Sequence, residues 1–588
     1  MATTTRPDGD AMDSSGRGRW IGLAMLSIGV AMIIVDVTIV NVAIPSIIRD
    51  LDRGSTQAEW LNTIYALVFA ALLITLGRLG DVLGRRRMYL IGLVVFIGAS
   101  MLAGLSPSGG VLILARMLQG VGGAMILPST QAILNANFQG RDRAIAFGIW
   151  GSVIGGMAAV GPLLGGFLTT YLSWRWAFFI NLPIGLLALW GTLRYIGESK
   201  DPEARRGFDL PGFALITAGL GAVIYGLIEG RQYGWLTPNP RHPFEIAGWT
   251  WPFTGISVIP FIIAFGVIAL GVFAIVETRR RNAGKFFLFD FTLWRYRGFR
   301  YGNLAGTIVS LGEFGLLFAL PLFLQGVLGY TAFETGLVFL SLAIGAFVAA
   351  PLAATFARRY GPRWVVTTGM VLEAVGILAV TLLISTTLNG LMLFLPLFVY
   401  GIGVGFATAQ LTSIVLSDVP IERSGIASGA NSTLRQVGSA LGIAILGTVL
   451  FSVLVNQSSD QFASVPPPAA LPPAVATQIG DFVATALDES AGQAIGPLRD
   501  DPATVTEYVQ LPPAVSGFLT SPAAKPALAP YVAIAEQSFV DATKAAGFVA
   551  TGFVILGVIF SLLLPQTKPR DASPAGEDPT RAAAAGPA

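Results

Sequence analysis

Residues 77–87 read GRLGDVLGRRR, and residues 354–364 read ATFARRYGPRW. Each is a short basic turn set between two long apolar runs. Placing Gly84 on Gly361 shifts the chain by 277 residues, and the same shift lays VGPLLGG (Val160–Gly166) on VGSALGI (Val437–Ile443). Gly161 then meets Gly438, and Gly165 meets Gly442. A slightly different shift puts Gly120 on Gly401. A chain with 70 glycines offers chance matches. Agreement at separated places argues instead for an internal repeat.

The apolar runs set the scale of the repeat. The 588 residues are 53% hydrophobic and only 12% charged, with a mean hydropathy of +0.68. Soluble domains carry roughly 25% charge. The runs are about 20 residues long, enough to cross a hydrocarbon layer of about 30 Å. Single apolar runs in lipid are helical because an open strand leaves its backbone unpaired. The expected fold is therefore an all-α polytopic membrane protein with fourteen transmembrane helices. Spans one to six match nine to fourteen as two six-helix halves, with seven and eight as an inserted pair. Parallel six-helix halves around a central cavity are a transporter architecture.

The expected organisation is a cytoplasmic tail (1–19), an N-terminal six-helix bundle (20–200), inserted helices seven and eight (201–278), a basic-aromatic linker (279–300), a C-terminal six-helix bundle (301–564) and a second tail (565–588). Counted from an inside N-terminus, the tails and every second loop hold most of the 37 Lys and Arg. That bias makes both termini cytoplasmic in a multi-pass cell-membrane protein. Residues 456–544 then form an extracytoplasmic loop between spans Gly425–Val453 and Ala545–Leu564. The loop is rich in Ala and Pro, with short stretches of helical spacing. RRRNAGKFFLFDFTLWRYRGFR (Arg279–Arg300) is expected as an interfacial helix on anionic lipid.

Composition also excludes function classes. The chain has no cysteine, which removes disulfides, thiol chemistry and cysteine metal sites. Its one histidine, His242, lies in a proline-rich stretch and reads as solvated. No phosphate-binding loop of the Gly-rich Lys-Ser/Thr type occurs, which argues against ATP as the driving force. The net charge of +3 reflects membrane orientation rather than nucleic-acid binding. The reading is no enzyme, no metal and no cofactor, with a lipid bilayer and a small-molecule or lipid-like substrate as partners and a monomer as the unit.

Acids inside apolar runs are costly, about 2.5–3.5 kcal/mol at the centre of a span. IIVDVTIVNVAIP (Ile33–Pro45) carries Asp36 in the first span, and the 277-residue shift puts Asp36 on Glu313 in span nine. Both halves thus carry an acid in their first helix. Arg116 in span four reaches the depth of Asp36, and Gln119 shares its helix face. Glu373, Arg435 and Lys544 are the remaining interior charges. Glu373 is read either as a cavity acid or as a packed neutral one, Arg435 as a helix contact, and Lys544 as snorkelling outward.

GRLGDVLGRRR resembles the signature loop of the major facilitator superfamily. RMLQGVGGA (Arg116–Ala124) and GMAAVGPLLGG (Gly156–Gly166) are similar to its span-four and antiporter span-five motifs. DVTIVNVAIP and WRWAFFINLP (Trp174–Pro183) are similar to signatures of its fourteen-span drug:proton antiporters, the EmrB/QacA type. The resemblance implies that Gly77, Asp81, Gly84, Arg85 and Arg86 form a cytoplasmic latch and that Asp36 and Arg116 lie near a proton path. It also implies that Gly161, Pro162, Gly165 and Gly166 shape a flexible interdomain helix. The second copy departs from the pattern, with Arg358 where Asp81 stands.

A carboxylate balanced between burial and a nearby arginine can load a proton on one side and release it on the other. Competition with a substrate for that carboxylate is antiport. The expected function is a proton-driven exporter of hydrophobic or cationic small molecules, of the multidrug-efflux, antibiotic-resistance type. A lipid or glycolipid exporter on the same fold is the alternative, and a membrane receptor or scaffold is a third reading. The orientation is checked by single cysteines introduced into this cysteine-free chain. In intact cells an impermeant reagent should label Gly480→Cys and not Lys285→Cys; the reverse pattern inverts the topology.

Overall fold

A computed structural model describes residues 16–51, 55–138, 140–200, 209–239, 242–246, 248–420, 424–462, 465, 479–507 and 513–566. For some helical residues, Asp81 among them, only the backbone is described. The expected tails and residues 466–478 lie largely outside these segments.

The chain is helical almost throughout. The first half holds α1 (Gly16–Leu51), α2 (Ser55–Leu83), α3 (Arg85–Gly104), α4 (Gly109–Asn137), α5 (Gly140–Tyr171), the short α6 (Trp176–Phe179) and α7 (Asn181–Tyr195). Next come α8 (Leu210–Tyr233) and α9 (Ile259–Asn282), joined through a two-stranded hairpin, Glu245–Ile246 with Trp249–Thr250. The second half holds α10 (Arg297–Gly326), α11 (Ala332–Tyr360), α12 (Pro362–Leu383), α13 (Phe394–Ser417), α14 (Ser424–Phe462), α15 (Ile479–Glu489), α16 (Ile495–Asp500), α17 (Pro513–Leu519) and α18 (Ala524–Ser561). Among the described residues, twelve helical segments are long and apolar enough to cross a membrane. Helices α2 and α5, of 29 and 32 residues, occupy the places of the second and fifth expected spans.

The helix pairs that touch occur twice. α1 packs on α5 and α7, α4 on α2 and α3, and α3 on α7. Correspondingly, α10 packs on α14 and α18, α13 on α11 and α12, and α12 on α18. The closest approaches repeat in detail. A Cβ on Gly92 would lie 3.0 Å from the Gly122 carbonyl, and one on Gly122 would lie 2.9 Å from the Gly92 carbonyl. Gly369 and Gly403 meet in the same way, at 2.8 and 2.5 Å. Small residues let helix backbones approach within van der Waals distance in lipid. The turns repeat too: Gly84 (φ 127°, ψ 128°) precedes α3, and Gly361 (φ 88°, ψ 146°) precedes α12. Only glycine takes that backbone without strain.

The two sets meet where α2 packs on α14 and α5 on α11, with α1 touching α10. A Cβ on Gly166 would sit 2.3 Å from the Ala332 carbonyl, and one on Gly336 would sit 2.5 Å from that of Pro162. Helix α9 packs on α8, which in turn packs on α2 and α14.

Three expectations change. The loop placed at 456–544 is largely built: α14 runs on to Phe462 and α18 begins at Ala524. At 39 and 38 residues each helix is about 58 Å long, nearly twice the apolar thickness of a bilayer. Helices α15 to α17 bury Phe482, Leu487, Ile495, Leu498 and Phe518 against these extensions. The basic-aromatic linker is not an interfacial helix. α9 continues to Asn282, and only Phe291–Arg295 forms a 3-10 turn, because buried Glu277 accepts from the amides of Leu288 (2.5 Å) and Phe289 (2.8 Å). The last span, expected to begin at Ala545, lies within a helix that begins at Ala524, and Lys544 is half-buried inside that helix.

The glycine contacts are testable. Gly122→Val should cost about 1–3 kcal/mol, because its methyls enter the α3 backbone. Gly110→Val, at a glycine with nothing within 4 Å, should stay within about 0.5 kcal/mol of wild type. Thermal unfolding of purified protein reads both.

Candidate functional site

Asp36 sits in α1 where the helix is apolar on every other side. Its neighbours are brought in by close packing. On α4, a Cβ at Gly120 would lie 2.8 Å from the Tyr65 carbonyl, and one at Gly123 would lie 2.8 Å from the Phe69 ring. With Gly122 against α3, these glycines draw α4 onto α2 and α3 and place Arg116, one turn earlier, beside α1.

The result is a closed network. Arg116 Nη1 donates to Asp36 Oδ2 at 2.5 Å and to Gln119 Oε1 at 2.9 Å. Gln119 Nε2 donates to Asp36 Oδ1 at 2.8 Å and to Ser100 Oγ at 2.8 Å. Asn181 Nδ2 donates to the same Oδ1 at 2.7 Å and to Ser100 Oγ at 3.1 Å. Arg116 Nε donates to the Leu61 carbonyl at 3.0 Å, and the guanidinium lies 4.5 Å from the centre of the Tyr65 ring. Asp36, Arg116, Gln119 and Asn181 are all 0% exposed. An ionised carboxylate only accepts hydrogen bonds, and here both of its oxygens face donors. Adding a proton would set a donor against donors and release Arg116 from a charge-assisted bond.

The structure thus brings together Asp36, Arg116 and Gln119, which were expected. It adds Asn181, Ser100 and Tyr65, which were not. Asn181 stands within WRWAFFINLP, where the chain breaks between α6 and α7. An amide at a helix break inside a span is the signal that could have found it. The same stretch anchors the end of α1: Trp174 Nε1 and Arg175 Nη1 donate to Asp50 Oδ2 at 2.9 and 2.5 Å.

Gly161, Pro162, Gly165 and Gly166 are buried along α5 at its crossings with α1 and α11. A Cβ on Gly161 would lie 1.8 Å from Thr38 Oγ1, and one on Gly165 would lie 2.9 Å from the Ile39 carbonyl. The glycines therefore seat α5 against the turn of α1 that follows Asp36.

In the basic turn, the amides of Arg86 and Arg87 donate to Glu198 Oε1 (3.1 Å) and Oε2 (3.2 Å). The Arg85 amide donates to the Ser199 carbonyl at 3.0 Å, and Arg86 Nη2 to the Leu193 carbonyl at 2.8 Å. Glu198 supplies the negative charge that a helix N-terminus favours. The side chain of Asp81, expected in the latch, lies outside the described residues. Gly77 lies close to Pro128 of α4, with a Cβ separation of 3.1 Å.

The acids of the second half gather separately. Glu313 on α10 is half-buried, and Glu373 on α12 is 1% exposed. The charge of Arg435 on α14 acts on both, and both act on the buried Tyr400 of α13. The shift that puts Gly120 on Gly401 puts Gln119 on Tyr400. The position of Arg116 falls on leucine at either shift, Leu393 or Leu397. Glu313 nevertheless has a basic group near it, supplied by α14 rather than by the helix equivalent to α4.

Comparison with known proteins places this arrangement. The family model described as Major Facilitator Superfamily matches residues 26–233 and 194–443. The chain belongs to the Major Facilitator Superfamily. It is 35% identical over 435 residues to the puromycin resistance protein pur8 of Streptomyces alboniger, across 73% of this chain and 82% of that one. It is 33% identical to the multidrug resistance protein Stp of Mycobacterium tuberculosis, across 74% of this chain and 76% of that one. Its fold resembles the solved structure of a bacterial homologue of the human lysosomal transporter Spinster, with a TM-score of 0.55 and 15% identity, covering 93% of this chain and 98% of that one. This superfamily member is thus a multi-pass membrane transporter, related to drug-resistance proteins.

Removing one partner of a buried ion pair leaves an uncompensated charge. Arg116→Leu should therefore cost about 3–5 kcal/mol of stability. The double variant Asp36→Leu/Arg116→Leu should regain most of that loss. A double-mutant cycle on thermal unfolding reads the coupling.

Proposed function

We propose that the protein is a proton-coupled antiporter that exports hydrophobic or cationic small molecules, built as a fourteen-span transporter of the EmrB/QacA type. In this reading α1–α7 and α10–α18 are the two halves, α8 and α9 are the inserted pair, the Gly84 face is cytoplasmic and the Trp174 face is outside. The observation that carries it is the Asp36 network. A single acid, fully enclosed and matched by donors from α4 and α7, has two stable conditions. Ionised, it is held by Arg116, Gln119 and Asn181. Protonated, it lets go of Arg116 and loosens the contact between α1 and α4. A proton thereby changes the packing of the helix on which α5 is seated.

The relation to puromycin and multidrug resistance proteins supports drug-like substrates. Half-buried Glu313, clustered with buried Glu373 and Tyr400 and with Arg435, offers a separate acidic site for a cationic substrate. The proton gradient is the driving force, and no cofactor enters the cycle. The Gly77–Arg87 turn serves as the cytoplasmic latch, with Glu198 holding its α3 end.

Inverted vesicles with an imposed proton gradient test the coupling. Asp36→Asn keeps shape and hydrogen-bonding capacity but cannot exchange a proton. Gradient-driven dye uptake should fall to background at wild-type expression. Continued accumulation, with proton release on substrate binding, would falsify the exchange role. Glu313→Gln should preserve coupling but raise KM for cationic substrates about tenfold, or about 1.4 kcal/mol. Equal effects on neutral substrates would remove the division of labour between the halves.

A further inference from the structure

A second acid is buried at the seam between the two helix sets, outside the Asp36 network. Glu59, near the start of α2, is 0% exposed, and neither carboxylate oxygen has a hydrogen-bond partner among the described residues. The α14 backbone closes directly on it: a Cβ on Gly447 would lie 2.8 Å from its carboxyl carbon. Described groups on neighbouring helices surround it. On α8, Glu229 accepts from Trp60 Nε1 at 2.9 Å, and Tyr225 lies beside the Trp60 ring. Arg231, also on α8, pairs with Asp488 of α15 and lies 5.3 Å from the centre of the Phe451 ring. α14 presents Gly447 and Thr448, whose hydroxyl donates to the Leu227 carbonyl at 2.8 Å. α1 presents Asn41, bonded to Asn62 at 2.6 Å, and Arg116 of α4 is engaged with Asp36.

We propose that Glu59 is a proton-binding gate residue: in its neutral form it lets α2 close on α14 at the outer face, and on ionising it forces that seam apart. The proposal rests on the exporter reading and its orientation. Burying an unpartnered neutral polar group is unfavourable, and burying an unpaired ionised one is far more so. Arg231 does not make up the difference. It is paired with Asp488, and the charges of Glu229 and Asp488 add to that of an ionised Glu59. The closed seam therefore accepts the neutral acid, and separation of α2 from α14 hydrates the carboxylate. A proton that binds one state better shifts the equilibrium toward it. Acid outside then favours closure of the outer face once Asp36 has loaded. The Glu59 proton returns to the outside when the seam reopens, so it gates without being transported. Helices α8 and α15 gain a role here, since they hold Arg231 in an ion pair with Asp488.

The test needs neither substrate nor gradient. Nitroxides at Leu172→Cys, just past α5 in the first helix set, and Asn456→Cys, on α14 of the second, are both exposed and report the separation of the two sets by double electron–electron resonance in lipid nanodiscs from pH 5 to 8. The short-distance population should fall as pH rises, its ratio to the long one changing by up to about tenfold per pH unit. Glu59→Gln and Glu59→Ala should remain closed throughout, changing less than about twofold. The alanine variant relieves any crowding at Gly447. A flat wild type, or a full response in both variants, overturns the proposal. A response that persists in both Glu59 variants but vanishes in Asp36→Asn assigns the seam to the exchange site, and the exporter reading stands without the gate. Uptake that survives Asp36→Asn would instead bring down the exporter reading while this measurement remained valid.

Discussion

An ion pair in the middle of an apolar bundle is unaffordable unless every lone pair and every proton is used. Asp36 and Arg116 meet that condition nearly completely. The carboxylate takes one bond from Arg116, one from Gln119 and one from Asn181, and the guanidinium adds the Leu61 carbonyl and the Tyr65 ring. These partners come from α1, α2, α4 and α7, with Ser100 of α3 joining the two amides. Five helices are therefore held in register by one charge. The glycines of α4 serve the same network, because small residues let that helix pack closely on α2 and α3. A change in the charge of Asp36 is felt by all five helices at once.

The repeat duplicates the scaffold but not this chemistry. The pairs Gly92–Gly122 and Gly369–Gly403 are near-copies, as are the turns at Gly84 and Gly361. The crossings that matter to the acids differ. Gly161 and Gly165 meet α1 at Thr38 and Ile39, whereas Gly438 and Gly442 meet α10 at Thr307 and Leu311. The plain shift would have put those contacts at positions 315 and 316, one to two turns further along. With leucine at the arginine position, the second half draws its cation from α14. The two acids that the shift along the chain pairs, Asp36 and Glu313, thus face unlike surroundings.

The long ends of α14 and α18 give the molecule a lobe beyond the bilayer. Its apolar core runs without a break into the ends of α10, α14 and α18. Arg499 joins it to the bundle, donating to the Val327 carbonyl at 3.1 Å and to Glu536 at 3.0 Å. Arg231 and Asp488 join it to α8. The lobe is therefore positioned to feel any movement of α2 against α14.

Much of this was legible in the residues. Apolar runs of bilayer length dictate helices, because lipid offers no partner for an open backbone. The two basic turns and the spaced glycines disclosed the repeat, since close helix contact and positive φ admit few other residues. The acid in the first span, with an arginine at matching depth, disclosed the heart of the site. Tertiary structure alone decided the rest. Asn181 and Ser100 are ordinary polar residues until two helix ends bring them within 3 Å of Asp36. Glu198 caps α3 because the chain after α7 folds back onto that helix. Arg435 came near enough for its charge to act on Glu313 through a packing register that no shift along the chain predicts. Glu59 drew no attention near the start of its run, and became a buried acid only when α14 closed over it. A sequence states which groups lipid will not tolerate alone; which neighbour answers each one depends on contacts between segments far apart in the chain.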